Sequence, residues 1–199
     1  NYVYGYLGSL VTALFVSFGL ENIHPLYWCD KLLKLYESGI IDNYIKKKGR
    51  EVEMYLKDKD IFFDKWKIYS EKFKERNWTN EVFFEEKIKF FERNFSQITN
   101  KEGKKNYGKI GASGLDSLII AYDSLLLSII NKDNNHGLEY IKLSERFNSD
   151  SKKDFDKSLD KTQLSWEKLV IHSMLHIGDS DSTGTIAAAW FGAYQGLKD

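Results

Sequence analysis

The sequence predicts an all-α domain, on three observations. Apolar residues recur at helical spacing from end to end, no two segments alternate like a pair of strands, and no repeat of fixed period divides the chain. Such helices bury their apolar stripes against one another. At 199 residues the chain is long enough for one domain with a sizeable core, and an aromatic share of 15% argues against disorder. Lys plus Arg and Asp plus Glu number 29 each, so no net field draws the molecule to nucleic acid or to an anionic membrane. The single cysteine, Cys29, excludes an internal disulfide and fits a reducing, cytoplasmic setting. No apolar run is expected to reach the length of a membrane span, and no secretory signal pattern opens the chain.

Leu7, Leu10, Val11, Leu14, Phe15 and Phe18 keep the i, i+3, i+4, i+7 rule and predict a helix over 7–18, stopped by Gly19. Gly5 and Gly8 at its head permit close approach of another helix or of a ligand. Pro25 suits the first turn of a second helix that reaches Glu37 and ends at Gly39. Leu26, Cys29, Leu32, Leu33 and Tyr36 line its inner face, so Cys29 reads as a core residue rather than a nucleophile. Helices continue over 40–73, with Ile41, Tyr44 and Ile45 as one apolar set and Phe62, Phe63, Trp66, Tyr69 and Phe73 as another. Between them Lys46-Lys47-Lys48-Gly49-Arg50, neutralised by Glu51 and Glu53, is a solvated turn rather than a nucleic-acid patch.

After a break at Asn77-Trp78-Thr79-Asn80, Val82, Phe83, Ile88, Phe91 and Phe95 predict a further helix, and 100–114 is a loop rich in Gly and Lys. Leu118, Ile119, Tyr122, Leu125, Leu126 and Ile129 then form a strongly apolar helix, with Asp116 placed to cap its start. Residues 131–162 are polar and read as an inserted surface loop holding a solvated His136. From Trp166 a helix resumes through Leu169, Val170, Ser173 and Met174. His172 and His176 are four apart without the metalloprotease glutamate, so zinc is a poor fit, and His176 either orients the acidic segment after it or sits near a helix C-terminus, where a positive imidazole is favoured.

That segment, Gly178-Asp179-Ser180-Asp181-Ser182-Thr183-Gly184-Thr185, crowds carboxylates and hydroxyls ahead of the small residues of a tightly packing helix. Asp and Ser are favoured at N-caps and in first turns. The same groups are hard oxygen donors suited to magnesium or calcium. Asp179 and Asp181 repel across Ser180, which a cation relieves and a cap does not require. Gly108-Lys109-Ile110-Gly111-Ala112-Ser113-Gly114 also precedes a helix and exposes N–H groups suited to a phosphate; without a Walker lysine this is a weak signal.

The stretch Gly178-Asp179-Ser180-Asp181-Ser182-Thr183, with Phe191-Gly192-Ala193-Tyr194-Gln195-Gly196, resembles the C-terminal metal motif of the ADP-ribosylglycohydrolase family, in its ADP-ribosylarginine hydrolase branch. Two further blocks agree in order: Gly5-Tyr6-Leu7-Gly8-Ser9-Leu10 through Phe15, and Gly111-Ala112-Ser113-Gly114-Leu115-Asp116-Ser117 with Ile120-Ala121-Tyr122-Asp123. The Lys-rich connecting segments carry no such match. The resemblance implies a compact multi-helix ADP-ribosylglycohydrolase-like domain, incomplete at its N-terminus, with 1–199 as its C-terminal portion and 131–162 as a surface insertion. It implies hydrolysis of the N-glycosidic bond between ADP-ribose and an arginine guanidinium, with Mg2+, as two ions, beside the ribose. Asp179, Asp181 and Ser182 fall on the metal positions, with Ser180 and Thr183 in support, and Gly111, Ser113 and Gly114 on the ADP-ribose loop.

The departures are as informative. The family's Ser/Thr-Asp-Asp motif and a further upstream acidic residue have no counterpart here, Asn1-Tyr2-Val3-Tyr4 replaces the usual histidines and proline, and Ile177 replaces a glycine. Three ligands leave magnesium mostly hydrated. Catalytic residues are therefore expected upstream of residue 1, and the 199 residues alone are expected to be inactive. A catalytically silent relative that binds ADP-ribose or a partner, or a purely structural helical module, are the readings of other classes.

Overall fold

The computed structural model describes residues 2–75, 84–95, 97–99, 105–107, 110–133, 152–176 and 178–196. In chain order these form α1 (Tyr2–Leu20), a 3-10 turn (Pro25–Tyr27), α2 (Trp28–Glu37), α3 (Ile40–Lys48), α4 (Val52–Glu75) and α5 (Phe84–Asn94). Then come β1 (Gln97–Thr99), β2 (Lys105–Tyr107), α6 (Asp116–Leu127), β3 (Ile129–Asn131), α7 (Lys152–Leu159), β4 (Thr162–Leu164), α8 (Trp166–Met174) and α9 (Ser180–Gln195). Outside the described residues lie the expected break at 77–80 with Val82 and Phe83, Gly108 and Lys109, His136 and Ile177.

Phe15 shows how the helices assemble. Its ring centroid lies 5.3 Å from that of Trp28, 5.6 Å from Trp66, 5.3 Å from Tyr122 and 5.0 Å from Trp190, so α1, α2, α4, α6 and α9 meet at one side chain. Tilted and edge-on ring pairs of this kind add to the burial term. Both tyrosine hydroxyls in this aromatic centre are satisfied locally, Tyr122 Oη donating to Pro25 O (2.7 Å) and Tyr69 Oη to Asp123 Oδ1 (2.9 Å), whereas the buried Trp66 Nε1 has no hydrogen-bond partner among the described residues. Cys29 is buried against α4, its thiol facing Trp66 O at 3.8 Å, which is the core role expected of it.

The all-α expectation holds, with two corrections. First, α1 runs a turn beyond 7–18 at its head and passes straight through Gly19, where an added Cβ would stand 3.0 Å from Ala193 of α9. With no charged residue from Val3 to Leu20, it is long and apolar enough, by length and composition, to cross a membrane, contrary to the expectation from sequence. Ending the helix at Gly19 is what hid this length. One face of α1, Val3, Leu7, Val11 and Phe15, is buried within the protein. Second, two antiparallel pairs occur, β1 with β2 and β3 with β4. Three-residue strands are too short to show alternation. The β3–β4 pair, Ile129↔Leu164 through Asn131↔Thr162, ties the two ends of segment 131–162 together, and α7 lies within it; its centre, 134–151, is outside the described residues.

Gly39 and Gly49, both left-handed at φ 70° and 68°, bracket α3, and the basic run Lys46 to Arg50 is solvent-exposed. Asp42 joins α3 to α4: it accepts from Tyr55 Oη (2.7 Å) and pairs with Lys59. Partial burial pulls the Asp42 carboxyl upward, but the Lys59 and Tyr55 hydrogen bonds and the Lys59 and Lys46 charges outweigh it and hold the group below the ordinary aspartate range. A depressed folded-state value means the contribution is present above the unfolded-state pKa and is lost as pH falls through the folded one. Asp42→Asn is thus expected to cost about 1 kcal/mol at pH 7 in urea unfolding, with the difference from wild type closing below about pH 4.

Candidate metal site

Three sequence blocks far apart along the chain meet at one corner. Gly8 of α1 faces the 111–114 loop so closely that an added Cβ would stand 2.5 Å from Gly114 O; reciprocally, a Cβ on Gly114 would stand 2.8 Å from Tyr4 O. On its other side that loop meets the 178–183 segment. Asp179 N–H donates to Ile110 O (2.6 Å), and Gly178 is pressed against the same carbonyl, 2.2 Å from where its Cβ would be. Gly111, at φ 82°, sits with its Cβ direction 3.5 Å from Asp179 Cβ and 2.9 Å from Thr183 Cγ2. Only glycine tolerates both the left-handed backbone and the contact. Gly111 and Asp179, assigned to different ligands by the resemblance, are therefore neighbours.

The 111–114 loop is folded around a carboxylate. Asp116, 2% exposed, accepts from Gly111 N–H (2.9 Å), Ser113 N–H (2.8 Å) and Ser113 Oγ (2.6 Å). Ser113 Oγ in turn accepts from Asp116 N–H (3.1 Å), the reciprocal arrangement of a capping box. In place of the simple helix cap expected of it, Asp116 holds the preceding loop, and Ser113 caps the first turn. The N–H groups of Gly111 and Ser113 point at this carboxylate, so the surface offered to a ligand is the exposed rim formed by Ala112, Ser113 and Gly114.

The 178–183 segment starts α9. Asp179 is its N-cap residue, yet its side chain makes no capping hydrogen bond to the helix; Ser182 Oγ donates to Asp179 Oδ2 at 2.9 Å. Asp181 lies exposed in the first turn, where the helix dipole favours a negative charge. The structure thus brings Asp179 and Ser182 together on a partly buried face and sets Asp181 toward solvent. Ser180 and Thr183 serve the fold. Ser180 Oγ donates to His176 O (2.8 Å), and Thr183, fully buried, donates from Oγ1 to Ser173 O (2.8 Å). His176 touches both ends of the segment: its Nδ1 accepts from Gly178 N–H (3.0 Å) and its Nε2 meets Thr183 Oγ1 (2.7 Å).

Two carboxylates and a hydroxyl fit magnesium in kind, being hard oxygen donors. They fall short in number: among the described residues no three Asp, Glu, His or Cys side chains cluster as ion ligands. Hollows of about 520 Å3, beside Tyr6, Tyr44, Lys48 and Tyr55, and about 570 Å3, beside His24, Tyr27, Asp156 and Tyr194, are lined by none of the residues of these two loops. The loop-holding role of Asp116 and the hub role of Thr183 are what sequence reasoning missed; Ser113-x-x-Asp116 is the signal that carries the first.

No family model matches the chain. Curated proteins do. A protein of Acanthamoeba polyphaga mimivirus, provisionally named an ADP-ribosyl glycohydrolase, is 32% identical over 197 residues, covering 96% of this chain and 30% of that protein. The ADP-ribosylhydrolase ARH1 of Dictyostelium discoideum is 29% identical over 208 residues, covering 98% of this chain and 44% of its own length. The chain spans less than half the length of these relatives, and the similarity runs through the connecting segments as well as the motif blocks. With alignment over nearly the whole chain and a helical fold that gathers the three blocks at one corner, these similarities support an ADP-ribosylglycohydrolase family for the chain.

Proposed function

We propose that these residues form the C-terminal part of a magnesium-dependent ADP-ribosylhydrolase that cleaves the N-glycosidic bond of ADP-ribosylated arginine and releases ADP-ribose. One observation carries the reading: the Asp179 carboxylate stands at the start of α9 without capping it, holds the Ser182 hydroxyl, and adjoins Gly111. A carboxylate that gathers a hydroxyl at a helix start, beside a glycine loop, is placed for a ligand. Magnesium bound there supplies a positive charge that organises sugar hydroxyls and water. Asp179, Asp181 and Ser182 provide oxygen donors, and the Ala112–Gly114 rim, fixed from behind by Asp116, provides backbone contact for the ADP-ribose. Asp179 N–H on Ile110 O keeps the two loops at constant separation, so sugar and diphosphate are received by one rigid unit.

The partial donor set favours a second reading, binding of ADP-ribose without turnover. The two separate in one assay: release of ADP-ribose from an ADP-ribosylated arginine peptide, with magnesium and after chelation by EDTA. It is run on the 199 residues and on the full-length polypeptide that carries them. The hydrolase reading expects magnesium-dependent release by the longer form and none by the 199 residues. Binding of ADP-ribose with no release by either form supports the second reading.

A further inference from the structure

We propose that His176, held as the neutral Nε2–H tautomer, is the positioning residue that sets the metal-binding segment, acting through Gly178 on one side and Thr183 on the other; this rests on the metal-site reading above. The donors and acceptors fix the tautomer. Gly178 N–H donates to Nδ1 at 3.0 Å, so Nδ1 presents its lone pair and the ring proton sits on Nε2. Nε2–H then donates to Thr183 Oγ1 at 2.7 Å, and Thr183 Oγ1 donates in turn to Ser173 O at 2.8 Å. Each ring nitrogen has a partner of the complementary kind. The imidazole is 8% exposed and Thr183 is fully buried, so bulk water has little access to the Nε2–Thr183 bond.

The consequence is geometric. The ring spans the segment from Gly178 to Thr183 and carries between its two contacts Asp179, Asp181 and Ser182. Its carbonyl accepts from Ser180 Oγ (2.8 Å), which pins the middle of the same segment. Residues that orient ligands without touching the ion commonly change metal affinity by about 10- to 100-fold when removed.

The test uses the 199-residue chain labelled with 15N, with magnesium chloride as the probe. The imidazole spectrum of the wild type is expected to show the proton on Nε2 alone; a proton on Nδ1, or exchange between the two, overturns the proposal without any substitution. His176→Ala is expected to raise the magnesium concentration needed to shift the 178–183 amides by on the order of tenfold and to speed solvent exchange at Gly178. His176→Asn, whose Oδ1 replaces the Nδ1 acceptor, is expected to restore most of both, and Thr183→Val to reproduce part of the loss with the same helix content. If His176→Ala leaves titration and exchange within twofold of wild type, the proposal fails while the metal reading stands. If wild type and Asp179→Ala respond to magnesium identically, the metal reading fails, and His176 is then judged on the tautomer and on Gly178 exchange.

Discussion

Asp179→Ala is expected to weaken magnesium binding by on the order of a hundredfold or more, to abolish magnesium-dependent hydrolysis in the full-length polypeptide, and to leave stability nearly unchanged. The asymmetry comes from which atoms of Asp179 hold the fold. Its N–H donates to Ile110 O and its C=O accepts from Thr183 N–H, both of which alanine retains. Its carboxylate accepts from Ser182 Oγ, a part-buried hydroxyl bond worth about 1 kcal/mol. Removing that charge also relieves repulsion with Asp181, which offsets part of the loss. An aspartate that merely capped α9 would behave in the opposite way, costing about 1 kcal/mol or more in unfolding with no change in magnesium response. Urea unfolding and a magnesium titration on the same variant separate the two.

Gly8→Ala is expected to destabilise the protein by about 2–3 kcal/mol and to displace the 111–114 loop. On helix propensity alone the change would stabilise by about 1 kcal/mol. Space decides against it: the new Cβ would stand 2.5 Å from Gly114 O, a backbone atom, with Leu118 Cδ1 at 3.4 Å. The loop has little room to retreat, since on its far side Ile110 and Gly111 are pressed against Gly178, Asp179 and Thr183. Gly5→Ala is the matched control. It lies in the same helix with nothing within 4 Å of its added Cβ, so it is expected to be neutral or stabilising by up to about 1 kcal/mol. Thermal melts of the pair, read beside the amide shifts of 111–114, check both.

The helices were legible because burial writes itself into spacing. Phe62, Phe63, Trp66, Tyr69 and Phe73 are all buried along α4, as their periodicity requires. Strands were not, because a three-residue pair leaves no period to count, and Ile129, assigned to the α6 stripe, opens β3 instead. Gly19 misled because a glycine reads as a stop; here it admits Ala193 of a neighbouring helix. In the candidate site the donor types were readable, while their use was not. Ser180 and Thr183 carry the same hydroxyl as Ser182, and only packing shows that the first two face backbone carbonyls while Ser182 faces a carboxylate. Asp116 shows the same limit, since a carboxylate at a helix start serves the helix or the preceding loop, and the fold chooses the loop.

In the proposed function the start of α9 and the 111–114 loop work as one receptor for a divalent ion and a nucleotide sugar. Calorimetric titration of ADP-ribose into the full-length polypeptide, with magnesium and with EDTA, for wild type and Asp179→Ala, decides whether they do. Binding to wild type is expected to weaken at least tenfold on chelation, and the weaker binding of the variant to be independent of magnesium. Equal affinity in all four titrations would contradict the shared receptor.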